Sequence, residues 1–191
     1  MKKIIVGMSG ASGQIYGIRL LQTLRQLENV EVHLIRTEWA KKTAGMETKW
    51  QADEIASLAD RVYDCEDLAA PVSSGSFQRD AMIIVPCSVK TLSAIANSYN
   101  DNLLVRAADT TLKEHKTLIL SLRETPLHRG HIRLMAQAAE AGAIIAPPVP
   151  MFYTLPQTID DLVDQTVYRL LDLVGIPVAK AKRWSGGAEC K

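Results

Sequence analysis

The sequence predicts one α/β domain in which a parallel sheet lies between two layers of helices. Short apolar runs alternate with longer stretches whose apolar residues recur at helical spacing, over all 191 residues. Such alternation is typical of right-handed β-α-β crossovers. The first apolar run, at residues 4–6, leads through a glycine-rich turn into a helical pattern, as buried parallel strands do. We therefore expect a Rossmann-like (flavodoxin-like) three-layer sandwich with a central, mostly parallel six-stranded sheet.

Six strands and seven helices follow from the pattern. The strands are predicted near residues 3–8, 31–36, 61–63, 81–86, 117–122 and 143–146. The helices are predicted near residues 13–28, 38–47, 53–60, 88–98, 103–114, 128–141 and 158–174. No linker, repeat or low-complexity segment separates them, so residues 1–191 are expected to form a single domain with a C-terminal tail at 177–191. Ligands of such folds bind outside the carboxyl ends of the strands, which makes the residues after each strand the candidates for function.

Composition and charge exclude several classes of protein. Hydrophobic residues make up 47% of the chain and the formal net charge is +1, so neither nucleic acid nor an anionic membrane is an expected partner. The first apolar run is broken by Gly7 and Ser9, too early for a signal peptide, and no stretch reaches the roughly 18 apolar residues of a membrane span. The cysteines, Cys65, Cys87 and Cys190, lack CxxC spacing. Reduced thiols and a cytoplasmic location are therefore expected.

The first turn predicts a site for one phosphate group. Its glycines, Gly7, Gly10 and Gly13, are spaced G-x-x-G-x-x-G, whereas dinucleotide sites have G-x-G-x-x-G and P-loops continue into Gly-Lys-Ser/Thr. The N–H groups and the dipole at the start of the next helix favour an anion. The second strand ends in Arg36-Thr37, where an NAD site usually has an acid for the ribose. These features favour a mononucleotide, FMN above others; the alternative is a turn that serves only close packing.

The residues after the fourth and fifth strands are further candidates. Pro86 is expected to end the fourth strand, and Ser88 to cap a helix whose free N–H groups face the same cleft. Cys87 is either a nucleophile or, since no base is evident near it, a small packing residue. Arg123 and Glu124 directly follow the fifth strand, and charged groups at the end of a buried strand are costly unless they have a function.

Other positions leave structural and functional interpretations open. Arg106 and Lys113 are seven residues apart on one helix face, which is commonly a solvated stripe. Glu47 is either a solvated acid at a helix end or part of a site, and residues 69–79 form either a binding lid or an ordinary loop. His128 and His131 have no third ligand near them, so no metal site is predicted.

The C-terminal part of the chain brings further candidates. The run Pro147–Pro150 should hold the chain stiff and extended, so that Tyr153 is presented in a fixed place. The apolar residues of the last helix face inwards, and Arg169 lies off that face. We expect the tail to dock through Arg183 and Trp184.

These motifs occur together, and in this order, in one known family. The stretches SGASG, SSGSF, PCSVKTLS, RAAD, RETPLH, PPVPMFY and the terminal RW resemble flavin prenyltransferases of the UbiX/Pad type, formerly described as small subunits of aromatic acid decarboxylases. The resemblance covers essentially the whole chain. It implies a flavoprotein, homododecameric in the family, that joins a dimethylallyl group from dimethylallyl phosphate to N5 and C6 of reduced FMN. The prenylated FMN then serves a separate UbiD-type decarboxylase, and no metal is needed.

The resemblance also implies roles for individual residues. The flavin site comprises Gly10, Ala11, Ser12, Thr37, Ser88, Val89, Lys90, Thr91 and Arg123. The prenyl phosphate is gathered by side chains that come in part from neighbouring subunits, namely Arg106, Lys113, Arg123, Tyr153 and Arg169, with Trp184 near the site. Ser12 and Glu47 match a polar pair near flavin N5, and Glu124 matches an acid that assists the departing phosphate. These three are the expected catalytic residues.

Two rival functions share parts of the pattern. One is an FMN-dependent cysteine-type decarboxylase of the same superfamily, which typically has a catalytic histidine and a PASANT-like motif where this chain has PCSVKTLS. The other is a non-catalytic flavin carrier or assembly subunit of a decarboxylase, which would not need the arginine, lysine and glutamate set. Lys49, where many relatives have an acid, and the residues beyond Trp184 depart from the family pattern. The motifs leave open whether the donor is the mono- or the diphosphate, and which aromatic acid the partner uses.

Overall fold

The computed structural model describes residues 1–184 and 186, and in them six strands form one sheet. The strands are β1 (Lys2–Met8), β2 (Val30–Arg36), β3 (Arg61–Asp64), β4 (Ala81–Cys87), β5 (Thr117–Leu122) and β6 (Ile144–Ile145). They lie in the order β3-β2-β1-β4-β5-β6, and every neighbouring pair is parallel. The predicted six-stranded parallel sheet is confirmed.

The seven helices begin and end close to where periodicity places them. They are α1 (Gln14–Arg25), α2 (Glu38–Glu47), α3 (Ala52–Ala56), α4 (Val89–Ala96), α5 (Leu103–Lys113), α6 (Arg129–Glu140) and α7 (Ile159–Leu173). Only α3 is much shorter than expected. It ends early because Asp60 is already bound to β2, donating its N–H to Val32 O and accepting the Val32 N–H through Oδ2.

Two apolar cores lie on opposite faces of the sheet. Alternate residues along β1 and β4 point to opposite sides, so that Ile4 joins one core and Ile5 the other. The first core packs the sheet against α1, α2, α3 and α7, and the second packs it against α4, α5 and α6. As a result α5 and α7 are separated by the whole thickness of the sheet, which decides below which predicted residues can meet within one chain.

The end of β4 differs from the expectation that Pro86 stops it. The strand continues through Pro86 to Cys87, and its register with β5 shifts between Ile84 and Cys87. Proline has no N–H to give to a ladder, and an irregularity of this kind accommodates it inside a strand. The continuation delivers Ser88 directly to the carboxyl edge of the sheet.

Two of the three cysteines lie in the described part of the chain. Cys65 and Cys87 are free and buried, whereas Cys190 and most of the predicted tail beyond Trp184 lie outside the described residues. Within the described chain, no helix combines the length and the apolar character needed to cross a bilayer.

Candidate active site

Ser9 ties the ends of β1 and β4 together. Its backbone N–H and its hydroxyl both donate to Pro86 O, at 3.2 and 2.9 Å, and its Oγ accepts the N–H of Ser88 at 2.8 Å. Ser9 is buried, so these bonds are shielded from water. Strand order reverses between β1 and β4, and a doubly wound sheet opens its ligand crevice at this point.

The flanking strands are fixed to the same edge. The N–H of Thr37, after β2, donates to Met8 O at 3.1 Å, and the N–H of Arg123, after β5, donates to Cys87 O at 3.0 Å. The residues that follow four adjacent strands are therefore held in one row by backbone hydrogen bonds.

A cavity of about 210 Å³ opens at this row, and we call it the switch-point cavity. It brings together five of the predicted flavin-site residues, Gly10, Thr37, Ser88, Lys90 and Thr91. Three helices begin at its wall: Thr37 caps α2 by accepting the Ala40 N–H, Ser88 caps α4 by accepting the Thr91 N–H, and Asn102 caps α5 by accepting the Val105 N–H. Hydroxyl groups and helix N-termini at one cavity form a suitable lining for an anion.

The cavity also has lining residues that the sequence did not single out, namely Ser9, Trp39, Ala94, Asp101, Asn102 and Val105. Trp39 is 65% exposed, and Lys42 Nζ lies 4.9 Å from the centroid of its ring. A Cβ added to Gly10 would lie only 2.5 Å from the Cβ of Trp39, so glycine is needed where the turn meets α2. Because only 5% of the residues are aromatic, a tryptophan three residues after a strand end was a signal that could have found this wall.

The start of α1 is occupied by a carboxylate of the same chain. Glu47 Oε2 accepts the N–H of Gly13 at 2.8 Å and that of Gln14 at 3.2 Å. Glu47 is thus more than a solvated acid at a helix end, because it binds the turn that contains Ser12. Two donors at the start of α1 are thus engaged within the chain, whereas the helix starts that line the switch-point cavity are those of α2, α4 and α5.

Ala11 and Val89 do not line the switch-point cavity. The carbonyl of Ala11 accepts a hydrogen bond from Gln14 Nε2 at 2.7 Å, which shapes the turn between β1 and α1. Val89 is the first residue of α4 and packs against the second core. Both lie next to residues that do line it.

Arg123 and Glu124 are exposed at the end of β5. Burial raises the pKa of Tyr16, in the first turn of α1, and the positive charge of Arg123 acts against that rise. The guanidinium is therefore close enough to Tyr16 to act on it electrostatically. Glu124 Oε1 accepts the N–H of Thr125 at 3.0 Å, and neither charged side chain belongs to the lining of the switch-point cavity.

Cys87 lies behind the row and is fully buried. Burial raises the pKa of its thiol to about 12, so the thiol keeps its proton at neutral pH. A protonated, inaccessible thiol is a poor nucleophile. The structure therefore favours the packing role over the nucleophile.

A second cavity, of about 260 Å³, lies between α7 and the start of the tail, and we call it the α7 cavity. It brings together Tyr153, Arg169 and Trp184, three of the residues predicted to bind the prenyl donor. The rings of Tyr153 and Trp184 meet edge to face, with centroids 5.8 Å apart. The rest of the lining is Met151, Gln165, Tyr168, Asp172, Ala181, Lys182 and Arg183.

Arg106 and Lys113 are not at either cavity. Both are on α5, on the face of the sheet opposite to α7. Arg106 donates to Ser73 O at 3.2 Å, and Lys113 lies 2.6 Å from Glu114 Oε1, next to the loop that contains residues 73–76. The five residues predicted to gather the prenyl phosphate are thus divided over at least two places in one chain.

A metal centre has no support in the described part of the chain, where no group of three or more histidine, cysteine, aspartate or glutamate side chains could hold an ion. His128 instead caps α6 by accepting the N–H of Gly130 at 2.9 Å, and its ring lies against that of His131.

Comparison with known proteins gives consistent results. The family described as Flavoprotein matches residues 1–171. A flavin prenyltransferase UbiX of Salmonella typhimurium is 55% identical over 188 residues, which cover 97% of this chain and 100% of that protein.

Two solved structures share both sequence and fold. AnUbiX (PadA1), in complex with FMN and dimethylallyl pyrophosphate, is 48% identical and has a TM-score of 0.95, over 97% of this chain and 98% of that one. A dodecameric FMN-dependent UbiX-like decarboxylase from Escherichia coli O157:H7 is 47% identical with a TM-score of 0.94, over 96% and 100% of the two chains.

Proposed function

The chain belongs to the flavin prenyltransferase family, and we propose that it joins a dimethylallyl group from dimethylallyl phosphate to N5 and C6 of reduced FMN. The prenylated FMN would then pass to a UbiD-type aromatic acid decarboxylase. The observation that carries this proposal is the presence of two separate cavities suited to anions, one built from hydroxyls and helix starts and the other from cationic side chains. A reaction between two phosphate esters needs both.

The residues of the switch-point cavity fit FMN. The hydroxyls of Thr37, Ser88 and Thr91 and the first N–H groups of α2 and α4 provide donors for one phosphate monoester. Lys90 Nζ lies 3.9 Å from Asp101 Oδ2, so the negative charge of Asp101 on the cavity wall is balanced by a cation. Reduced FMN would supply electron-rich N5 and C6 atoms to the allyl carbon of the donor.

The residues of the α7 cavity fit the prenyl donor. Arg183 lies 2.6 Å from Asp172 and is neutralised by it, whereas Arg169 has no hydrogen-bond or ion-pair partner within residues 1–184 and 186. Arg169 is thus the cation ready to meet a phosphate, and the rings of Tyr153 and Trp184 provide an aromatic wall near a developing allyl cation.

Proton transfer and flavin positioning are assigned to the acids and to Ser12. Glu124 is exposed beside Arg123, where it could hold or move a proton at a phosphate oxygen. Glu47 is held by the backbone of the turn that contains Ser12, so the two groups are suited to act together on the flavin side. Arg123 would stabilise negative charge on the departing phosphate.

The proposal includes a homododecamer, because one chain does not assemble the whole donor site. Arg106 and Lys113 lie across the sheet from the α7 cavity, so they can reach a donor phosphate only in another copy. Exposed apolar side chains provide surface for such contacts, among them Met46, Tyr99, Ile132, Phe152, Leu155 and Ile159. The Escherichia coli relative described above is itself dodecameric.

The direct test is an anaerobic incubation of the purified protein with reduced FMN and dimethylallyl phosphate, read by mass spectrometry. We expect the flavin mass to rise by one C5H8 unit. Dimethylallyl diphosphate in a parallel reaction identifies the preferred donor. A flavin carrier or a cysteine-type decarboxylase would leave the flavin unchanged with either donor, and that result would refute the proposal.

Co-expression of two variants tests the shared site. Arg106→Ala and Arg169→Ala should each be nearly inactive, while mixed oligomers should recover about one quarter of the wild-type activity if each site takes the two arginines from different, randomly chosen copies. Recovery fails if both arginines act from one chain, because no chain then carries both.

The cytoplasmic location expected from the sequence remains part of the proposal, supported by the free thiols of Cys65 and Cys87.

A further inference from the structure

The start of the tail is bound to two distant parts of the chain through one residue. The backbone N–H of Lys182 donates to Gln165 Oε1 on α7 at 2.9 Å. Its side chain reaches in another direction, and Nζ donates to Thr154 O at 2.8 Å. Gln165 and Thr154 are only 9% and 4% exposed, so both acceptors are fixed by the packing around them.

These bonds connect the two segments that carry the aromatic wall. Thr154 directly follows Tyr153, and Lys182 lies two residues before Trp184. Arg183 lies between Lys182 and Trp184 in the sequence and is held to α7 by its ion pair with Asp172. The edge-to-face contact of the two rings is therefore the end of a short chain of fixed groups that starts at Lys182.

We propose that Lys182 is a positioning residue for the prenyl donor: by joining α7 to the segment after the proline run, it holds Trp184 against Tyr153 at the α7 cavity. The inference rests on the proposed function for the identity of the ligand. A neutral side chain at position 182 would hold the two segments together less firmly, because a charged donor forms a stronger hydrogen bond with a carbonyl acceptor.

The chain offers a matched control in Lys180. It lies two residues earlier, carries the same charge, is exposed, and lines a different cavity, formed with Arg19 and Tyr168. Lys182→Met keeps the length of the stem and removes the amine, Lys182→Arg keeps a charged donor, and Lys180→Met removes an equal charge from the tail.

The first measurement needs no ligand. In the ligand-free protein, amide hydrogen exchange at residue 182 should become faster in Lys182→Met, because the start of the tail detaches more often when only one of the two hydrogen bonds of residue 182 remains. It should be unchanged in Lys180→Met and largely restored in Lys182→Arg. Equal exchange in all the variants would overturn the proposal.

The second measurement uses kinetics with reduced FMN. Lys182→Met should raise the KM for dimethylallyl phosphate by about fivefold to tenfold, less than the full loss of a charged hydrogen bond because Lys182 acts on the donor only through Trp184, while kcat and the FMN Kd stay within about twofold. The increase should largely vanish in a Trp184→Ala background, because Lys182 acts through that ring.

The possible failures can be told apart. If the wild-type protein makes no prenylated flavin, the proposed function is contradicted. The role of Lys182 in holding the tail is not, because the exchange experiment tests that role without any ligand. An active wild type in which Lys182→Met and Lys180→Met behave alike would contradict the inference. Fully additive effects of Lys182→Met and Trp184→Ala would also do so, since they would mean that Lys182 contacts the donor directly.

Discussion

The two cavities are suited to the same chemical group by different means. The switch-point cavity uses hydroxyls and backbone N–H groups that come directly after strands, and its geometry is fixed by the hydrogen bonds between β1, β2, β4 and β5. The α7 cavity uses long side chains from α7, from the segment after the proline run and from the tail. The first is a property of the sheet, whereas the second depends on how peripheral segments dock.

This difference suits the two ligands. A cofactor that must stay in place is served by rigid donors that cost little conformational entropy to align, as strand ends and helix starts are. A donor that must enter and whose phosphate must leave is better served by cationic side chains, which neutralise charge without enclosing it. Completion of the donor site by another copy adds cations that no single chain places there.

The largest effect is expected at Glu124, outside the lining of both cavities. Glu124→Gln keeps the shape and the acceptor for the Thr125 N–H but removes the titrating group, so prenylation should slow by about 10²-fold or more in single-turnover measurements. Affinities for FMN and for the donor should be retained. Glu66→Gln, another exposed acid after a strand, provides the control. Unchanged turnover would remove Glu124 from the mechanism.

Arg169→Ala should separate the two cavities by ligand. The loss of a charged hydrogen bond is expected to weaken dimethylallyl phosphate binding by roughly 1.5–3 kcal/mol, while FMN affinity barely moves. Calorimetric titration of FMN into the apoprotein, then of donor into the FMN complex, measures both. Arg61→Ala, at an exposed position on the edge strand β3, controls for loss of charge. If the affinities for both ligands fell equally, the assignment of FMN and the donor to different cavities would be contradicted.

Ser88→Ala is the mirror experiment at the switch-point cavity. It removes one hydroxyl from the lining and the cap of α4, so FMN binding should weaken by about 0.5–1.5 kcal/mol while donor binding to the FMN-saturated protein is retained. Thr158→Ala removes the equivalent cap of α7, away from the switch-point cavity, and should lower the melting temperature similarly without affecting FMN. If both variants weaken FMN equally, the effect of Ser88 comes from helix stability alone.

The contrast between the cavities also explains what the sequence could predict. Strand and helix periodicity places Thr37, Ser88 and Arg123 after strands, and the topology alone brings such positions to one edge. The bond from Glu47 to Gly13 joins residues 34 apart, and no local pattern encodes that distance. Periodicity therefore identified the fold and the strand ends at which the switch-point cavity opens, but not the contact that occupies the start of α1.

Local sequence patterns could not predict how the segments of the α7 cavity come together. Gln165 is a polar residue on the buried face of α7, and only its bond to Lys182 accounts for it. Arg106 and Lys113 were linked to the donor by family resemblance alone, since in one chain they lie on the other side of the sheet. Contacts between distant segments and between copies depend on packing, and a single sequence does not show packing directly.

The smallest effect is expected at Cys87, and it tests whether a thiol takes part in the switch-point cavity. Because burial holds the pKa of this thiol at about 12, no thiolate forms beside Ser88 as the pH passes about 8.5, the ordinary thiol value. FMN affinity should therefore show no thiol step between pH 6.5 and 9, and Cys87→Ala should change it by less than about twofold. Cys65→Ala removes another buried thiol, whose pKa burial also raises, and provides the control. Folding stability should behave differently: Cys87 of the unfolded chain ionises near pH 8.5, so the contribution of this buried thiol to stability is fully present below that value and falls as the pH rises towards 12, by up to about 1.4 kcal/mol per pH unit. A step in FMN affinity near pH 8.5 that disappears in Cys87→Ala alone would place an ionised sulfur at the flavin, and the packing role of Cys87 behind the switch-point cavity would have to be abandoned.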